Sequence, residues 1–182
     1  MDEQHPPDET LKRGTCVLLL ATGPEDGTNA LYDSITRVPE GTAVLLVSTG
    51  NADEAVRSVR ERGVPAGAIG VVDASGGGRT PSGVAEATAV DGPDSLSALG
   101  IAISDVLDRL DHRFDRVVIG FDSTTDVLDA APLPATFRFF HVLCGRARTS
   151  DATLIAAIDR SAHDEETRRT IKELFDETRR IE

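Results

Sequence analysis

Five short apolar runs recur along the 182-residue chain, and segments of helical periodicity stand between them. The runs are Cys16–Ala21, Ala43–Val47, Ala68–Val72, Arg116–Phe121 and Ala152–Ile158. They are continuous rather than alternating, as strands covered on both faces are. Helices are predicted over Asn29–Thr36, Asp53–Arg62, Asp94–Leu110, Pro134–Arg146 and Asp164–Glu177. In Asp94–Leu110 the apolar residues Leu96, Leu99, Ile103, Val106, Leu107 and Leu110 recur at three and four, and Asp94 is a candidate N-cap. Strands alternating with helices imply a three-layer α/β domain with a mostly parallel central sheet. The length suits one domain, expected over 14–182, with residues 1–13 as a disordered acidic tail and 179–182 as a short last strand. Residues 73–93 hold SGGGRTPSG and DGP and read as a long mobile loop.

Composition narrows the partners. No apolar run approaches the roughly 18 residues of a membrane span, and the polar, acidic N-terminus is no signal peptide. Cys16 and Cys144 lie in apolar stretches and read as buried thiols, as a reducing cytoplasm would keep them. The net charge is −12, and only Lys12 and Lys172 are lysines. Many Asp, few Lys and abundant Ala, Gly, Val and Thr are similar to the proteome of a salt-in halophile; the alternative is an ordinary acidic mesophilic protein. In molar salt the Debye length is about 3 Å, so a dense acidic surface repels itself little. Such a charge argues against nucleic acid and anionic membranes as partners.

The segment Gly14–Ile35, GTCVLLLATGPEDGTNALYDSI, reads as a buried strand, a Gly-containing loop and a helix start. This is the frame of a phosphate-binding loop without its chemistry. A working loop places a Lys and a Ser or Thr at the helix start. Aligned on Gly23, those positions hold Asn29 and Ala30, and Glu25 and Asp26 add negative charge. Thr28 lies nearby.

Over almost the whole chain, the order of landmarks resembles the RecA-like core of the KaiC family, in a degenerate haloarchaeal branch. GTCVLLLATGP resembles its first strand and loop entry, RVVIGFDSTTDVL its Walker B strand, and LFDETRRIE its closing helix and strand. The resemblance implies a strand order of 68–72, 43–47, 116–121, 152–158, 16–21 and then the C-terminal strand. A flavodoxin-like or receiver-like fold is the alternative. The resemblance also places a degenerate nucleotide site at Gly23, Gly27, Thr28, Asn29, Asp122 and Ser123. The family's catalytic Glu would follow the second strand, where Gly50 and Asn51 stand, with Asp53 and Glu54 slightly later. No catalytic or metal-ligating residue is assigned, and neither ATP nor Mg²⁺ is expected as a cofactor.

Other constellations are weaker. His5, His112, His141 and His163 show no ligand spacing, and His141 sits on an apolar stripe as a core histidine would. Ser123, His163 and Asp122 can be written as a hydrolytic triad, but no GxSxG elbow supports it. The expected function is therefore a non-catalytic KaiC-like protein working through a protein partner or self-association. The alternatives are a nucleotide binder without turnover and an enzyme rebuilt around Asp122.

Overall fold

The structure is a computed structural model and describes residues 11–182. Its centre is a seven-stranded sheet of β1 (Cys16–Ala21), β2 (Thr42–Ser48), β3 (Ile69–Asp73), β4 (Glu86–Ala89), β5 (Arg116–Phe121), β6 (Thr153–Asp159) and β7 (Glu177–Arg180). The spatial order is β4-β3-β2-β5-β6-β1-β7, and every pairing is parallel. This is the expected order with β5 central and one strand added at the edge. The fold is a three-layer α/β domain of the RecA-like type.

The continuous apolar runs explain the layers. β1, β2, β3 and β5 are buried along their whole length, so both faces need cover. The helices α1 (Pro24–Thr36) and α2 (Ala52–Glu61) cover one face. The other is covered by α3 (Leu96–Asp111), α4 (Thr124–Ala130), α5 (Leu133–Thr149) and α6 (Glu165–Lys172). Two strand glycines set how close the helices come. A Cβ on Gly120 of β5 would stand 2.8 Å from Ile35 Cδ1 of α1, and one on Gly70 of β3 would stand 2.8 Å from Leu110 Cδ1 of α3. Ile35 and Leu110 are fully buried, each contributing about 1.5–3 kcal/mol. Phe121, Phe139 and Phe140 pack edge to face beneath α5, with centroids 5.0–6.0 Å apart. Cys16 and Cys144 are buried free thiols, as read.

Several boundaries differ from the expectations. The long loop carries β4, which pairs with β3 from Gly70–Glu86 to Asp73–Ala89. Its Glu-Ala-Thr-Ala sequence is too short and too polar to signal a strand; an edge position needs only one covered face. The N-cap of α3 is Ser95, with no side-chain cap bond, in place of Asp94. The last helix stops at Lys172, and the final strand lies at 177–180. His141 is exposed and stacks on Phe137 instead of entering the core. Leu11 is 8% exposed within the α1–α2 core, while Lys12 O accepts Thr153 Oγ1 at 3.0 Å and Arg116 donates to both Leu11 O and Thr153 Oγ1. The expected tail therefore ends before residue 11; residues 1–10 lie outside the described residues.

Candidate functional site

Parallel strands direct their carboxyl ends to one edge, where ligands of such sheets bind. Here that edge holds a cavity of about 240 Å³ between the start of α1, the end of β2, the β5–α4 turn and the end of β6. Register brings the walls together: Ala21 is paired with Asp159 across β1 and β6, and Val47 with Phe121 across β2 and β5. Gly23, Gly27, Thr28, Asp122 and Ser123 line the cavity; Asn29 does not.

The largest difference from expectation is at the loop entry. α1 begins at Pro24, five residues before the predicted start. Only Thr22 and Gly23 connect β1 to it. Pro at the first helical position and acids in the first turn are helix-start signals, and Pro24, Glu25 and Asp26 supply them. Gly23, at φ 95°, makes the sharp entry that a side chain would strain. Glu25 and Asp26 are thus helical and exposed, not loop residues facing inward. Asn29 and Ala30 sit in the second turn, away from the helix entrance where Lys and Ser or Thr would hold phosphate.

Two donors at this entrance, the Gly23 amide and the Thr28 hydroxyl, are already bound. Gly23 N–H donates to Asp159 Oδ1 at 3.1 Å, and the same oxygen accepts Ser161 N–H at 2.9 Å and Ser161 Oγ at 2.6 Å. The Ser161 hydroxyl, the two amides and nearby His163 hold the Asp159 carboxyl below its usual range against the opposing cost of desolvation. Thr28 Oγ1 donates to Pro24 O at 2.9 Å, within its own helix.

Asp122 follows the last residue of β5 and turns onto β2. It accepts Ser48 Oγ at 2.8 Å, Thr49 N–H at 3.0 Å and Thr49 Oγ1 at 3.0 Å. Its carboxyl is pushed up, chiefly by burial, with Asp126 adding to the shift and the three donors opposing it. Thr49 Oγ1 also lies 2.6 Å from Asp126 Oδ2, so one hydroxyl proton serves two carboxylates. Ser123 caps α4 by accepting Asp126 N–H at 3.1 Å. In the second-strand segment, Asn51 caps α2 by accepting Glu54 N–H at 3.2 Å.

The would-be triad is not assembled. His163 Nε2 lies 3.1 Å from Thr125 Oγ1, and that oxygen accepts Asp159 N–H at 3.0 Å. Ser123 and Asp122 are bound elsewhere. Thr125, in the hydroxyl cluster that follows Asp122 in the sequence, lines the cavity; so do Thr49, Asp126 and Asp159, which were missed from sequence. Asp159 carried a signal, since it ends the apolar run LIAAID much as Asp122 ends RVVIGF.

The cavity wall holds Asp122, Asp126 and Asp159 and no Lys, Arg or His. Among the described residues no group of three or more His, Cys, Asp or Glu could hold a metal ion. The Gly23 amide and the Thr28 hydroxyl are taken, and like charges about 5 Å apart repel by about 3 kcal/mol at an effective dielectric of 20, so these wall carboxylates oppose an anionic ligand. No helix among the described residues is long and apolar enough to cross a membrane.

A solved protein of Pyrococcus horikoshii OT3, studied under the project identifier PH0250, superposes with a TM-score of 0.63 at 11% identity, covering 96% of this chain and 85% of that one. At that identity the likeness is one of fold. No curated protein sequence matches the chain. The model of a family of unknown function, DUF7504, matches residues 14–180, and the chain belongs to that family.

Proposed function

We propose that this protein is a non-catalytic, KaiC-like relative of the RecA-type ATPases, acting through protein contacts in regulation or signalling in the cytoplasm of a halophilic archaeon. The observation that carries this reading is the Asp159 carboxylate on the Gly23 amide at the entrance of α1. A helix N-terminus favours an anion by about 0.3–1 kcal/mol near a surface. Here the protein's own anion takes that position. A ligand phosphate would have to displace Asp159 and then face two further carboxylates. The two-residue connection also leaves too little backbone to wrap a polyphosphate, which needs a run of amides pointing inward.

Calorimetry with Mg·ATP and Mg·ADP in molar KCl tests the reading. No heat of binding is expected for either nucleotide. Micromolar binding would overturn it and favour a nucleotide binder without turnover. An enzyme built around Asp122 is disfavoured by the three hydrogen bonds that turn its carboxylate onto β2.

A further inference from the structure

Away from the carboxyl-end cavity, α3 and α5 lie side by side over the sheet and leave a groove of about 680 Å³. Its floor is apolar, formed by Leu96, Phe139 and Leu143. Its rims carry Ile101, 64% exposed, and Val142, 68% exposed, the large apolar side chains left in solvent among the described residues. Exposed apolar residues scattered singly are ordinary; these two flank one apolar groove. The charges on its walls are segregated. α5 has no Asp or Glu in its 17 residues but carries Arg138, Arg146 and Arg148, in a chain of net charge −12. α3 carries Asp105, Asp108 and Asp111 against the single Arg109. Arg146 pairs with Asp108 within the molecule, and Arg148 pairs with Asp176. Asp105 and Arg138 both line the groove and make no ion pair among the described residues.

We propose that a second copy of this chain docks here, in a twofold dimer with α3 of each copy on α5 of the other. A twofold interface is self-complementary, and an acidic wall beside a basic wall meets that requirement. Phe139 lies against Gly100 and Arg146 pairs with Asp108, so the two helices run parallel. A twofold axis along the groove then lays each α3 over the partner's α5 in the same direction. By this register Asp105 lies about a turn and a half along the axis from the partner's Arg138, on the wall that faces it, and Ile101 and Val142 close over the apolar floor. Two helices, each about 25 Å long at 1.5 Å per residue and about 10 Å across, offer on the order of 500 Å² of footprint per copy. That is near the low end for a specific interface. An anionic partner of another kind would meet the acids of α3, whereas a second copy satisfies both walls. The groove shares no lining residue with the carboxyl-end cavity, so dimerisation and nucleotide binding succeed or fail separately.

Sedimentation velocity of the full chain in molar KCl, from micromolar to millimolar concentration, reads the mass. The expected result is twice the 19.3 kDa chain mass for wild type, falling to the single-chain mass in Val142→Asp and in Ile101→Asp. Both side chains are exposed, so circular dichroism should stay as in wild type, and melting should match it at concentrations where wild type is also single, since only association adds a concentration-dependent rise. A second measurement fixes the arrangement. Chains carrying Ile101→Cys are mixed with chains carrying Val142→Cys and treated with a short bis-maleimide, while the native thiols remain buried. Cross-links between the two kinds of chain should exceed those between like chains. A wild type that stays single at millimolar concentration overturns the proposal, whether or not another protein is found on the groove. So does a dimer insensitive to both aspartates, or one giving only like-to-like cross-links.

Discussion

Asp159→Ala removes the carboxylate that receives Gly23 N–H, Ser161 N–H and Ser161 Oγ through one oxygen. A hydrogen bond to a charged group is worth about 1.5–3 kcal/mol when enclosed. Ser161 is exposed, and water can replace the acceptor there, so most of that value is screened. The loss should come to about 1–3 kcal/mol, dominated by Gly23 at the entrance of α1. In a chain of this length that is about 2–10 °C in Tm. Asp159→Asn keeps an acceptor without the charge and should lose about half as much. The pH dependence has a definite sign. The folded carboxyl lies below its usual value, so its stabilisation is present above the unfolded pKa, about 3.9, and is lost as pH falls through the folded value. Urea titrations by circular dichroism should therefore give a constant gap between wild type and Asp159→Ala from neutral pH to about 5, narrowing to about half below about 4, where the protonated carboxyl still accepts. A neutral-pH gap below about 0.5 kcal/mol, the level of an ordinary surface change, would refute the reasoning. So would a gap that does not narrow on acidification.

Asp122 should behave oppositely: its raised carboxyl favours the fold below the unfolded pKa, and that contribution is lost as pH rises through the folded value. Asp122→Asn should flatten this part of the pH profile at little cost near neutrality, while Asp122→Ala should cost about 1–3 kcal/mol by leaving Ser48 and Thr49 without their acceptor; equal urea midpoints for the two variants would contradict this. Gly120→Ala places a methyl 2.8 Å from Ile35 Cδ1 and should cost about 1–3 kcal/mol in the same assay; an unchanged midpoint would mean that α1 shifts freely. The combined variant Glu25→Gln, Asp26→Asn, Asn29→Lys, Ala30→Thr should gain no Mg·ATP binding by calorimetry, because all four positions lie within α1 rather than on a loop; measurable binding would count against the two-residue connection as the cause. Melting temperature should rise from low to molar KCl as acidic self-repulsion is screened; a flat or falling trend would remove the halophile reading.

The layers were legible because burial on both faces leaves a continuous apolar run, and β1, β2, β3, β5 and β6 all carry one; the strand order came only with the resemblance, since no local pattern orders strands in space. β4 was not legible, since a four-residue edge strand of Glu, Ala, Thr and Ala has neither an apolar run nor β-branched density. The entrance of α1 was misread because the glycines of GPEDGT were given more weight than Pro24 and the acids that follow it. Those acids stabilise a helix N-terminus, and their position was evidence for an early helix as much as for a spoiled loop. The cavity was half legible: Asp122 and Asp159 each end an apolar run visibly, while their meeting with Thr49 and Asp126 depends on the spatial order of the strands, a long-range property no local pattern encodes.

Asp122 and Asp159 together hold the carboxyl-end edge of the sheet in order from within the chain. Each ends a strand and turns its oxygens onto amide and hydroxyl donors of a neighbouring connection: Asp122 onto the end of β2, Asp159 onto the start of α1. A polyphosphate site needs the entrance amides free, at a cost in stability that bound ligand must offset. An internal carboxylate on the Gly23 amide removes that cost permanently, since no ligand concentration is involved. The same hydrogen bond therefore stabilises the apo fold and opposes anion binding. Asp159→Ala should then lower stability with no nucleotide present, whereas donors kept free for a ligand contribute to stability mainly when that ligand is bound.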